Sequence, residues 1–267
     1  MTIFQAIILG LIQGLTEFLP ISSSAHLSLT PIILGWDPPG LAFDVALHAG
    51  TLVAVLWYFR REWAELWKAA IGILRTRKVE TVEQKRVVFI VLATIPAAIG
   101  GLLLEEKAET VFRAPAITAV ALIVMGILLW ASDKFTSQQR PLAKMRWTHA
   151  LLIGIAQVVA LVPGVSRSGS TITAARALHF DRQSAAVFSF LMSMPVIAAA
   201  LVLKGREVLL QDDLWIQVIV GVVSAALSSW LAIAVLLRYV STRSYGIFAL
   251  YRVILGVSVL AFLFLRG

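Results

Sequence analysis

Four stretches of this chain, 87–104, 114–131, 183–203 and 214–237, contain no charged residue, and a fifth, 246–265, contains only Arg252. Each is close to the roughly 20 apolar residues that carry a helix across a bilayer. Backbone in lipid must satisfy its own N–H and C=O groups, so runs of this kind fold as helices. A sixth run, 41–59, has the same length and carries Asp44 and His48 four residues apart. The composition agrees: 59% hydrophobic and 14% charged residues, with a mean hydropathy of +0.88. The fold class is therefore an all-α polytopic membrane protein with six transmembrane helices.

The net charge is +8, which in a soluble chain would point to nucleic acid. Here the basic residues lie between apolar runs, so they set membrane orientation, and no nucleic acid is expected as a partner. The 60–86 connection carries Arg60, Arg61, Lys68, Arg75, Arg77, Lys78, Lys85 and Arg86. The 133–147 connection carries Lys134, Arg140, Lys144 and Arg146, and 238–245 adds Arg238 and Arg243. By contrast, 105–113 holds Glu105, Glu106 and Glu109 against Lys107 and Arg113. The three basic connections are expected in the cytoplasm and the acidic one outside, which leaves both termini external. Within 61–86, Trp63, Leu66, Trp67, Ala70, Ile71 and Leu74 recur at helical spacing among charges, the pattern of an interfacial helix. The first Lys or Arg is Arg60, so no cleaved signal peptide is expected. With no cysteine, thiolate chemistry and disulfides are excluded.

Two regions break the apolar pattern. Residues 3–19 run to Pro20, and a second short run, 25–35, ends at Gly35. Gln13 and Glu17 interrupt the first run, Ser22, Ser23 and Ser24 stand at the break, and His26 follows at the start of the second. Farther on, 148–162 runs to Pro163-Gly164, and a short segment opens near Ser168 and closes around His179. Each half is too short to span, so each region reads as a re-entrant helix hairpin; a single kinked span is the rival reading for the first. A shift of 144 residues places Gly10 on Gly154, Gln13 on Gln157, Ser22 on Ser166 and Ser24 on Ser168. One hairpin plus three spans per copy makes the copies opposite in orientation: an inverted-topology repeat, approximately 1–132 and 145–267, in one integral domain of 1–267.

The polar residues in these breaks carry the chemistry. Gln13 and Glu17 share a helix face, and a carboxylate, three hydroxyls and an imidazole follow within one short break. His26 is one helical turn beyond Ser22 and Ser23, within reach of either hydroxyl as a base for a serine nucleophile. The second break, Pro163-Gly164-Val165-Ser166-Arg167-Ser168-Gly169-Ser170-Thr171, is a Gly/Ser turn entering a helix. Such a turn offers backbone N–H groups to an anion, and Arg167 adds a planar fork of donors. The plainer reading is a capping turn with Arg167 among lipid headgroups. Asp44 and His48 are interfacial or support the site. His149 and His179 read as interfacial, and Phe188, Phe190 and Met194 as core or lipid contacts. Arg252 is buried against an acidic partner or snorkels to the interface.

Both motifs, Gln13-xxx-Glu17 with Phe18-Leu19-Pro20-Ile21-Ser22-Ser23-Ser24-Ala25-His26, and Pro163 to Thr171, resemble those of the undecaprenyl-diphosphate phosphatase family. These are the bacitracin-resistance integral membrane phosphatases of bacteria, and the resemblance covers the whole chain. It implies a multi-pass protein of the bacterial plasma (inner) membrane that removes one phosphate from undecaprenyl diphosphate, recycling the carrier for cell-wall synthesis. Its partners would be the polyprenyl diphosphate lipid and membrane lipids; self-association as a homo-oligomer is left open. The resemblance makes Glu17 the essential acid, Ser23 the nucleophile, His26 a proton-transfer group and Arg167 the diphosphate ligand. Ser166, Ser168 and Thr171 complete the phosphate cradle, with Gln13, Ser22 and Ser24 lining the substrate. Many members have glycine where Ala25 stands. The family commonly has glutamate where Gln13 stands, which weakens chelation of a metal by two carboxylates. A Mg²⁺ or Ca²⁺ ion bridging Glu17 and the substrate is still an expectation, since a diphosphate supplies oxygen ligands. Attack by metal-activated water or by His26 stays open beside Ser23.

The site is expected to face the external side, where the first hairpin opens. The alternative class is a prenyl-phosphate transporter or flippase. The lipid phosphatases that use a histidine nucleophile are set aside, because Thr173 stands where they have that histidine.

Overall fold

A computed structural model describes every residue except 110, 111, 113, 138, 139, 210–214 and 267, with side chains also left undescribed at 41, 105–109, 206–209 and 266. The acidic 105–113 connection, on which the external assignment leans, therefore falls outside the described side chains. Among the described residues the chain is α-helical, with a single isolated β-bridge between Arg140 and Phe180. In chain order the α-helices are α1 (Ile3–Phe18), α2 (Ser23–Leu34), α3 (Leu41–Tyr58), α4 (Arg60–Thr76), α5 (Val82–Glu109), α6 (Pro115–Phe135), α7 (Trp147–Val158), α8 (Arg167–Ala177), α9 (Arg182–Leu209), α10 (Trp215–Val240) and α11 (Gly246–Arg266).

Five of these, α5, α6, α9, α10 and α11, are long and apolar enough by themselves to cross a membrane. The sixth expected span, 41–59, corresponds to α3, which meets that length only together with α4. The two are bent by 84° at Phe59, so the chain turns sharply at the first basic residues. Beyond the bend α4 buries Leu66 and leaves Trp67 72% and Leu74 79% exposed. An apolar stripe uncovered by protein is what an interfacial helix turns toward lipid.

The short helices α1, α2, α7 and α8 bracket the two breaks. α1 opens on a capping box, in which Thr2 accepts from the Gln5 N–H and the Gln5 side chain accepts from the Thr2 N–H. It stops at Leu19, which is extended, because Pro20 brings no donor and disfavours a helical residue before it. α2 restarts from Ser22 at φ 75°, and α8 restarts from Ser166 at φ 68°. These left-handed serines are related by the 144-residue shift, and each places its hydroxyl near that of the serine two residues on: Ser22–Ser24 at 3.2 Å, Ser166–Ser168 at 3.1 Å.

Packing repeats the pattern. α1 lies against α10 and α7 against α5, α3 pairs with α10 and α9 with α5, and α3–α9 and α6–α11 meet as pairs. Gly10 and Gly154, also 144 apart, sit where a Cβ would collide with a backbone carbonyl, of Gly221 and Ala93 respectively. In lipid, apolar burial drives helix association weakly, so this close backbone approach supplies dispersion contact that larger residues would block. The match is incomplete: α8 packs on α6, whereas α2 reaches α11 through His26 and Tyr251. The main apolar core includes Phe18, Phe59, Phe188 and Phe190, with Phe18 edge-on to Phe190 at 5.2 Å. Phe188, Phe190 and Met194 are thus core, as expected.

Candidate active site

The ends of α1 and the starts of α2 and α8 converge on Glu17, which is buried at 6% exposure. Its two carboxylate oxygens have different partners. Oε1 accepts from Arg167 Nη2 at 2.6 Å, across 150 residues of sequence. Oε2 accepts from Ser23 Oγ at 2.5 Å and from Gln13 Nε2 at 3.1 Å, one helical turn back on α1. His48 on α3 donates through Nδ1 to the Asp44 carbonyl at 2.8 Å, which aims Nε2 at Glu17 Oε2, 3.6 Å away. The carboxylate thus ties both breaks together and touches a hydroxyl that is partly open to the outside: Ser23 is half-buried and Ser24 exposed.

Arg167 sits at the first position of α8 with its side chain 14% exposed. A guanidinium has five N–H donors, and the Glu17 bond uses one, so the fork keeps donors for a second anion. The surrounding hydroxyls hold the turn. Ser166 Oγ accepts from the Gly169 N–H at 3.1 Å as an N-cap. Ser168 Oγ donates toward the carbonyls of Glu17 and Leu19, at 3.2 and 3.1 Å, pinning the second break to the first. Thr171 Oγ1 donates to the Arg167 carbonyl at 2.8 Å and lies 2.7 Å from Ser189 Oγ. These three hydroxyls, expected to cradle phosphate, bond to backbone or neighbouring hydroxyls here and are buried, as is Ser22.

His26 departs from the expected contact. Its Nδ1 meets the Ser22 carbonyl oxygen at 2.7 Å and not a serine hydroxyl. A carbonyl only accepts, so Nδ1 carries the proton, and Nε2 is left as an acceptor facing Tyr251 Oη at 2.6 Å. The two rings also stack, 6° from parallel with centroids 5.6 Å apart. The serine that the imidazole was expected to serve is bonded to Glu17 instead.

Arg252 does not snorkel, and among the described residues it meets no acid. It is fully buried and donates to the carbonyls of Pro20 (3.0 Å), Gly164 (2.8 Å), Val165 (2.8 Å) and Leu122 (3.4 Å). Broken helices leave carbonyls without intrahelical donors, and one guanidinium answers those of both breaks. Sequence reasoning missed Tyr251, which lies 225 residues from His26 on an apolar helix with no local signal. It also missed the buried cluster under α8, where Asp133 accepts from Arg176 (2.9 Å), Arg182 (2.8 Å) and the Tyr245 N–H (3.0 Å). Asp133 and Arg176 are the signal that was available: charges next to apolar runs that a purely interfacial role would leave exposed.

Among the described residues, no group of three or more His, Asp or Glu side chains is disposed to hold a metal. The donors that do lie together are Glu17 and the Gln13 Oε1, which is buried and without a hydrogen-bond partner.

Comparison with known proteins places the chain in a family. The family model described as "Bacitracin resistance protein BacA" matches residues 6–258. An undecaprenyl-diphosphatase of Gemmatimonas aurantiaca is 58% identical over 261 residues, covering 98% of each chain. Undecaprenyl-diphosphatases of Pelotomaculum thermopropionicum and Moorella thermoacetica are 46% and 45% identical, covering 97% and 100% of this chain and 96% and 100% of theirs. Both site motifs fall inside the matched span, and the chain belongs to the bacitracin resistance protein BacA family.

Proposed function

We propose that this protein hydrolyses undecaprenyl diphosphate to undecaprenyl phosphate and inorganic phosphate, returning the lipid carrier to cell-wall synthesis and conferring bacitracin resistance. The observation that carries the reading is the Ser23–Glu17–Arg167 constellation, a hydroxyl and a guanidinium on opposite oxygens of one buried carboxylate. The terminal phosphate binds between the starts of α2 and α8, against the unused donors of Arg167 and the first-turn N–H groups. Ser23 Oγ attacks phosphorus as its proton passes to Glu17. The P–O bond to the inner phosphate breaks, and undecaprenyl phosphate leaves with the bond's electrons. Glu17 passes that proton to the departing undecaprenyl phosphate. Water then attacks the phosphoserine, giving a proton to Glu17, which returns it to Ser23 Oγ as the Oγ–P bond breaks and phosphate departs. Arg167 stabilises the charge on the equatorial oxygens in both steps. Ser166, Ser168, Thr171 and Arg252 position the turn. His26, with Nε2 toward Tyr251, serves proton traffic at the mouth; Ser24 lines it, with the buried Ser22 hydroxyl behind it.

A Mg²⁺ or Ca²⁺ ion would find one carboxylate, Glu17, and one unpartnered amide oxygen, Gln13 Oε1. The donor set suits a hard cation only with diphosphate oxygens added, and such an ion would supply further charge neutralisation.

The membrane arrangement belongs to the same proposal. The hairpins α1–α2 and α7–α8 are re-entrant, the halves are inverted repeats, the basic connections are cytoplasmic, and the site and both termini face outward. The paired left-handed serines, the paired glycine contacts and the mirrored helix pairings support the repeat, and loop charge supports the sidedness. The same mirrored pairings favour a second reading, translocation of the prenyl phosphate, because inverted broken helices are a transporter plan.

Purified protein supplied with undecaprenyl diphosphate tests the function by release of phosphate. Glu17→Ala and Arg167→Ala are expected to lose about 10²-fold or more, the scale of removing a transition-state partner. Wild-type protein that moves lipid between leaflets yet releases no phosphate would favour translocation. Activity unchanged by EDTA would remove the cation.

A further inference from the structure

A cavity of about 660 Å³ that shares no residue with the Glu17 site is lined by Ser137, Arg140, Lys144, Met145, Arg146 and His179. Three of the six are permanently cationic and none is acidic. Among the described residues, neither Arg140, Lys144 nor Arg146 forms a salt bridge. A carboxyl-bearing residue does stand nearby: the Asp181 N–H bonds the Arg140 carbonyl at 3.0 Å. Its carboxylate, however, accepts from the Ser184 N–H and Oγ, both at 2.7 Å.

Loop charges set only by membrane orientation need not converge, whereas Arg140 is held in place at the wall of this cavity. Arg140 Nη1 donates to the Leu178 carbonyl at 2.7 Å, and the guanidinium lies over the Phe180 ring, 5.5 Å from its centroid. The same Nη1 lies 3.0 Å from His149 Nε2, while His149 Nδ1 accepts from the Arg146 N–H at 3.1 Å. A neutral imidazole has one acceptor nitrogen, so two donors compete for it and the cluster has an excess of donors. His179 stands at φ 68°, just past the end of α8, where glycine is the usual residue. Its Nδ1 lies 2.9 Å from Ser137 Oγ, which brings a further polar group to the cavity wall.

The flanking residues place this cavity at a membrane surface. Trp147, next to Arg146, is 60% exposed, and Phe135, two residues before Ser137, is 72% exposed. Exposed aromatics at the ends of apolar helices mark the headgroup level, and basic pockets there take anionic headgroups.

We propose that this cavity is a second anion site, which binds a phosphate group through Arg140, Lys144 and Arg146 with Ser137 as an added donor. The shared chemistry is a phosphate oxyanion, delivered by an anionic phospholipid headgroup or as free phosphate. The site is separate from the hydrolytic one and does not depend on the proposed reaction.

Two binding measurements on the full-length protein distinguish the sources. In the first, detergent-purified protein is offered equal phosphatidylglycerol and phosphatidylcholine, and bound lipids are counted by native mass spectrometry. In the second, inorganic phosphate is titrated and followed by ³¹P line broadening. The test variant is Lys144→Gln/Arg146→Gln, whose side chains are exposed; an Arg167→Ala background removes the anion ligand of the hydrolytic site. The double variant is expected to bind about thirtyfold more weakly, from roughly fivefold per cationic group beside an anion at the membrane surface. Loss of phosphatidylglycerol assigns a headgroup, and loss of inorganic phosphate binding assigns the free ion. Equal binding by variant and parent in both measurements overturns the proposal.

Discussion

Arg252 shows what one residue does for both breaks. A guanidinium reaches the carbonyls of Pro20, Gly164 and Val165 at once because its donors fan out in a plane. A lysine has one nitrogen and cannot span them. Arg252→Lys is expected to leave two or three buried carbonyls unpaired, at about 1–3 kcal/mol each. It should lower both the thermal midpoint in detergent and turnover, as measured by scanning fluorimetry and phosphate release on the same preparation. Unchanged turnover would remove Arg252 from the positioning role. The sequence makes Glu17, Ser23 and Arg167 legible because costly polar groups in apolar runs need a reason. Arg252 and Tyr251 were not legible in role, since their partners are carbonyls and an imidazole more than 80 residues away. His26 shows the limit of helical spacing: being one turn from Ser22 identified the right residue but not that its carbonyl, rather than its hydroxyl, would be bonded.

At the level of elements, the breaks are built from strained starts and close contacts. Ser22 and Ser166 hold left-handed backbone at which L-residues cost about 1 kcal/mol or more. Gly164, at φ 92°, passes against the Thr118 carbonyl, which brings α6 to the second break. The short apolar runs and Pro20 announced the breaks, while the positive φ values follow from tertiary contacts that no local pattern encodes. Gly154 tests the packing. A valine there would push α7 off the Ala93 carbonyl of α5, with an overpacking cost of about 1–3 kcal/mol or more. Gly154→Val is expected to lower the thermal midpoint in detergent, and a comparable loss is expected for Gly10→Val at the matching contact. A neutral result at both would contradict the paired-glycine account. The bend between α3 and α4 was half legible: the charges after Phe59 ended the span, but nothing in the local pattern announced the 84° angle.

For the whole molecule, the number of apolar runs gave the helical membrane class directly, and five long helices carry it in the structure. Sidedness rests on loop charge, which the fold itself does not encode. The chain has no cysteine, so single substitutions report without background. Ser24→Cys is expected to react with a membrane-impermeant maleimide in intact cells, and Lys78→Cys only after the inner face is opened. The reverse pattern would invert the topology.

The central claim is that Ser23, activated by Glu17 with Arg167 on that carboxylate's other oxygen, is the nucleophile. Its most direct test is phosphate release from undecaprenyl diphosphate by purified wild-type, Ser23→Ala and Ser24→Ala proteins. Ser23→Ala is expected to lose at least about 10³-fold in kcat, as removal of a nucleophile does, while Ser24→Ala changes it only a few-fold. Ser23→Ala turning over within tenfold of wild type would contradict the account.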